Sequence, residues 1–152
     1  VTTANGNTAM GHTALNNTTT GVNSSFGYEA GYYITTGTSN TALGYQALKG
    51  TTDTTANNNT AVGHQALLAN TTGTENVAVG MGTLDAATTG NYNTGIGTGA
   101  LSDHTTGSDN TAVGRNALGS NTTASNNTAI GKDALKYRSE PRTASENLFS
   151  VT

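Results

Sequence analysis

The stretch that decides the fold is NTAVGHQAL, residues 59–67. Seventeen residues on, at 76–84, the chain writes NVAVGMGTL in the same frame. Six further copies align with these two: NTAMGHTAL (7–15), NSSFGYEAG (23–31), NTALGYQAL (40–48), NTGIGTGAL (93–101), NTAVGRNAL (110–118) and NTAIGKDAL (127–135). Their starts lie 16, 17, 19, 17, 17, 17 and 17 residues apart. A second phrase, Thr-Thr-Gly, recurs between copies at 35–37, 71–73, 88–90 and 105–107. A fixed period of this kind marks a stacked repeat array. It spans residues 1–135, leaving 136–152 outside the repeat.

Each column of the repeat can be given a physical role. The first is Asn in every copy (Asn7, Asn23, Asn40, Asn59, Asn76, Asn93, Asn110, Asn127). Stacked one coil above another, such side chains can form an amide ladder or hold the turn before a strand. The fourth is always apolar (Met10, Phe26, Leu43, Val62, Val79, Ile96, Val113, Ile130) and, with the Leu of column nine, is assigned to the core. The fifth is always glycine: Gly11, Gly27, Gly44, Gly63, Gly80, Gly97, Gly114 and Gly131. A missing side chain at all eight sites calls for positive φ or close backbone approach. Columns three and eight are mostly Ala. Columns six and seven vary freely and are taken as the outward face, the place where adhesion would reside.

Composition narrows the architecture. Of 152 residues, 33% are hydrophobic and 10% charged, the net charge is −3, and there are 20 Gly. That is too little apolar matter for an ordinary compact domain and too little charge for a disordered one. Order must come from main-chain hydrogen bonding between repeated units. A central Gly flanked by Thr and Asn disfavours helix, and the local alternation suits short strands. The expectation is an all-β fold: a β-solenoid, or β-roll, of about eight 17-residue coils, each with two short strands. One Leu, one column-four residue and two Ala per coil make a thin core against the cost of ordering seventeen residues. Small Ala columns would let neighbouring backbones approach, so a parallel homotrimer sharing its core is expected.

The phrase NTAxGxxAL…NTTGxxN, clearest at 59–76, resembles the repeat regions of phage-type tail-fibre proteins and related bacterial surface fibre proteins. More distantly it is similar to the head repeats of trimeric autotransporter adhesins. The resemblance implies trimeric left-handed β-rolls that attach to host surfaces, although the coil here is longer than the adhesin unit. It implies a rigid structural segment of an extracellular, cell-surface or virion-tail appendage. Its partners would be further copies of itself and a cell-surface glycan or receptor. The alternatives are a filament subunit whose coils stack end to end and a glycan-binding module.

Chemistry is sparse. Cysteine is absent, which removes disulfides and thiolate metal sites. Six basic residues give no footprint for nucleic acid, and no apolar run is long enough to cross a membrane. The opening residues, VTTANGNTAMG, have neither a charged nor an apolar leader region, as in a mature product or an excised piece. His12 and His64 share column six but stand three coils apart, His104 precedes a turn and is read as solvated, and no GGxGxD phrase supports a calcium roll. No metal and no cofactor is expected. No nucleophile frame or paired carboxylates appear, so no enzyme is expected.

Two surface readings remain. Phe26, Tyr28, Tyr32 and Tyr33 crowd into the one repeat that loses its final Leu. Tyr28, Tyr32 and Tyr33 either contact a glycan or repack the defective coil, while Tyr45 and Tyr92 look isolated. A flat ice-binding array would need Thr-x-Thr at a fixed place, which is missing. The segment 136–152 holds the only proline, Pro141, and half of the basic residues. It is read as a C-terminal cap or a junction to a following element.

Overall fold

A computed structural model describes residues 6–137 and the backbone of 148–151. Eight short strands occupy equivalent places in the eight repeats: β1 (Thr8–Met10), β2 (Ser24–Phe26), β3 (Thr41–Leu43), β4 (Thr60–Val62), β5 (Val77–Val79), β6 (Thr94–Ile96), β7 (Thr111–Val113) and β8 (Asn127–Ile130). They form one sheet in chain order, every neighbouring pair parallel and in register. A ninth strand, β9 (Leu148–Val151), pairs parallel with β8. Sequential parallel strands with a whole turn of chain between them make a β-solenoid, with seven complete turns from Asn7 to Asn127. At the usual spacing between strands the stack from β1 to β8 is about 34 Å long.

Only one strand forms per coil, where two were expected. The rest of each turn is bends and tight turns, apart from an isolated bridge between Ile34 and Thr54. Main-chain bonds nonetheless run between coils well outside the strands. The Leu48 amide donates to the Ala66 carbonyl at 2.8 Å, Leu67 to Thr83 at 3.0 Å and Leu101 to Ala117 at 3.0 Å. These bonds satisfy backbone groups that seventeen residues of mostly irregular chain would otherwise leave unpaired.

The core is narrower than expected and differently filled. It consists of column-three Ala (Ala42, Ala61, Ala78, Ala112, Ala129), column-eight Ala and the column-nine Leu side chains, with Ile34 and Ala87. The column-four residues lie outside it. Met10, Leu43, Val79, Ile96 and Ile130 are 36–69% exposed, and Phe26, Val62 and Val113 are half-buried. The reason is the two-residue period of a strand: once column three points inward, columns two and four must point outward. With a Leu from the same coil occupying the interior, only a methyl group fits at column three.

The exceptions to the pattern compensate one another. Thr83 replaces Ala in column eight, and the facing column-three residue is Gly95, where a methyl group would lie 2.6 Å from the Thr83 methyl. Gly31 replaces the column-nine Leu, and a methyl there would approach Ile34 Cδ1 to 3.1 Å. Ile34, fully buried, therefore fills the gap left by the lost Leu. The aromatic residues of that repeat do not.

Candidate interaction surfaces

Three lengthwise files of side chains meet at the strand side of the rod. The first is the ladder of Asn amides, buried in columns where a polar group must find partners. The Asn76 backbone amide donates to Asn59 Oδ1 at 2.9 Å and its Nδ2 donates to the same oxygen at 3.2 Å. That Nδ2 also reaches the Gly90 carbonyl at 2.8 Å, fastening the start of the coil to its closing turn. The same pattern recurs at Asn40, Asn59, Asn93 and Asn110. At the last rung Asn127 donates its backbone amide and its Nδ2 to Asn110 Oδ1, while at the first rung Asn7 Oδ1 accepts the Asn23 amide and its Nδ2 finds no partner among the described residues.

The glycine column lies immediately after the strands. All eight residues, Gly11 to Gly131, have φ between 124° and 139°. A methyl group on Gly63 would stand 2.5 Å from the Gly80 carbonyl oxygen, so both backbone angle and neighbouring coil demand glycine.

The second file is the outward face of the strands. The apolar column four runs the length of the sheet, flanked by column two, which is Ser or Thr in every copy but Val77. This is a continuous stripe of apolar side chains, five exposed and three half-buried, and scattered single exposures would not need explaining as this does.

The third file is column six. His12, Tyr28, Tyr45 and His64 stack face to face in sequence, with ring centroids 5.3, 5.3 and 5.1 Å apart and planes within 9° of parallel. Tyr45 is thus part of a ladder rather than isolated, and Tyr28 has both ring faces occupied. Below it the file continues as Met81, Thr98, Arg115 and Lys132. Column seven runs beside it. Gln65 Nε2 donates to Gln46 Oε1 at 2.9 Å, and Gln46 Nε2 donates to Glu29 Oε2 at 2.8 Å. Lys49 Nζ meets the same carboxylate oxygen at 2.8 Å. Hydrogen bonding from Lys49, then from Gln46, holds the Glu29 carboxyl below its ordinary range, and the Glu29 bond raises Lys49. The Glu29 charge pushes the neighbouring Tyr28 phenol up.

The remaining residues singled out in the sequence fall elsewhere. Tyr32 and Tyr33 meet edge to face at 4.6 Å, both half-buried and away from the strand face. His104 is fully buried rather than solvated. Its Nδ1 lies 3.1 Å from the Asn121 carbonyl oxygen and its Nε2 2.8 Å from that of Gly107. Burial lowers its pKa more than these two acceptors raise it. Its column signals this place, because Asn70 and Asn121 occupy the same position in other coils and are also buried. Among the described residues no group of three His, Asp or Glu side chains could hold a metal ion, and no helix is long and apolar enough to cross a membrane. The C-terminal segment assigned to a cap or junction lies largely outside the described residues. Compared with protein-family models, with curated proteins and with solved structures, the chain matches none.

Proposed function

We propose that this chain is a structural segment of a fibre, in which three parallel copies join through their strand faces to make a rigid rod supporting attachment to a host or surface. The observation that carries this is the apolar column-four file, exposed at five repeats and half-buried at the other three along the sheet of one chain. A second and third copy present the same file at the same repeat, so a parallel arrangement matches apolar residue to apolar residue over every coil. Covering that stripe adds the burial that the thin interior of one coil lacks. The work proposed for the rod is mechanical: stiffness from the Asn ladder that runs unbroken from coil to coil. The resemblance of the repeat phrase to tail-fibre and adhesin-head repeats supports an extracellular or virion setting.

The test is the mass in solution by light scattering, on the native chain and on Ile96→Asp. The native chain is expected at three times the chain mass. Ile96→Asp places a carboxylate in the middle of the buried stripe and is expected to shift the population to single chains. A native chain that stays folded and monomeric at micromolar concentration overturns the proposal.

A further inference from the structure

The repeat departs from its length most at the third coil, where 19 residues separate Asn40 from Asn59. Backbone pairing locates the surplus. The Tyr33 amide donates to the Lys49 carbonyl, Gly50 pairs with Leu68, and Ile34 bridges Thr54. Thr51, Thr52 and Asp53 therefore have no counterparts in the preceding coil, and all three are exposed. Gly50 starts the excursion at φ 74°, where a methyl group would collide with the Thr54 hydroxyl.

The excursion forms one wall of an open groove of about 460 Å³. Tyr33 of the coil before and Leu68 of the coil after line it, with Gln46, Lys49, Thr51 and Thr52 supplying polar groups. Its size falls in the range of small-molecule sites. Nothing in the solenoid requires it. The neighbouring coils close without such a loop, and the space of the missing Leu is filled by Ile34, so Tyr33 is not needed for the core.

The polar groups are held in place by their own neighbours. Gln46 is fixed on one side by Glu29 and on the other by Gln65, each bond using only part of its amide capacity. Lys49 is fixed by Glu29, which leaves further ammonium protons and cancels its charge. Groups immobilised in advance lose little freedom when a ligand arrives. The ligand they suit has an apolar face for Tyr33 and Leu68, a rim of hydroxyls for the amide, ammonium and Thr groups, and no net charge. A pyranose ring has that chemistry. None of the lining residues lies on the strand face assigned to contact between chains, so the groove stays open in a trimer.

We propose that the groove beside residues 51–53 binds a neutral oligosaccharide, with Tyr33 supplying the aromatic surface and Gln46, Lys49, Thr51 and Thr52 hydrogen-bonding the sugar hydroxyls. Tyr28, locked in the column-six stack, takes no part. The site lies within one chain and does not depend on the fibre reading.

The experiment screens the full chain on an array carrying neutral and sialylated oligosaccharides, then titrates the best neutral binder by calorimetry. Binding to a neutral oligosaccharide is expected, weakened about tenfold or more in Tyr33→Ala and in a variant lacking Thr51 and Thr52. That deletion restores the common 17-residue spacing and is expected to keep the far-ultraviolet circular dichroism of the native chain, so it decides the matter if Tyr33→Ala misfolds. No array binding, binding to sialylated sugars alone, or native affinity in the deletion variant overturns the proposal.

Discussion

His104 shows how much one position in a repeat can say. Asn70, in the same column, satisfies its surroundings completely: its Nδ2 donates to the Gly73 carbonyl at 3.0 Å and its Oδ1 accepts the Gly73 amide at 2.9 Å. His104 sits between two carbonyl oxygens, and a neutral imidazole has only one proton to offer them. His104→Asn is therefore expected to raise stability by about 1 kcal/mol, measured as the urea midpoint at pH 7.5. The pH dependence follows from the lowered pKa. The unfolded chain takes up the proton first, from about pH 6.5 downward, so the stability contributed by the neutral ring is complete above that pH. It is lost as pH falls through the lower folded value. Native protein is expected to lose more stability than His104→Asn between pH 7.5 and 5, and equal losses in the two would refute the assignment.

At the scale of the coil, the backbone carries a load that composition conceals. Besides the glycine column, non-glycine residues in columns seven and nine adopt left-handed conformations. Gln46, Gln65 and Asn116 have φ of 54–57°, and Leu48, Leu67 and Leu118 have φ of 45–52°. Each costs roughly 1 kcal/mol in an isolated chain. In the stack it is offset by amide bonds to the adjoining coils and by driving the Leu side chain into the core. The glycine column was readable as positive φ because only one residue type does that job. The column-seven conformation was marked only in part, by Gly82, Gly99, Asn116 and Asp133, and the column-nine one was not, because Leu carries no such mark. Gly63→Ala tests one of these close approaches. With φ at 134° and the Gly80 carbonyl 2.5 Å from the new methyl, the substitution is expected to cost about 3 kcal/mol. Thermal unfolding by circular dichroism measures it, and a change under about 1 kcal/mol would mean that coils can separate without penalty.

For the whole molecule, the placement of column four alters the meaning of the repeat. Read as core, Met10, Val62 and Ile96 would add to each chain's own thin interior. Placed outside, they leave each chain with a slim Ala–Leu interior and an apolar flank. Under the proposed association through the strand faces, shared burial would link folding to assembly by mass action, and the thermal midpoint is then expected to rise with protein concentration between about 1 and 100 µM. A midpoint independent of concentration over that range would indicate that one chain holds itself together. The rod also differs along its length, with aromatic column-six residues in the first four repeats and Arg115 and Lys132 in the last two.

The sequence by itself determined the period, the stacking of like residue on like, the glycine turns and the all-β class. These follow from chain-local properties: a repeat distance, a backbone angle only glycine tolerates, and the poor helix propensity of Thr, Asn and Gly. Which apolar column faced inward was decided only by the tertiary structure. Alternation along a strand permits either assignment, and the choice depends on how much space the Leu of column nine leaves inside the closed coil. The same holds for the groove beside Thr51 and Thr52. The surplus residues are visible in the spacing from Asn40 to Asn59, but what they enclose depends on Tyr33 and Leu68, side chains that come together only when successive coils stack.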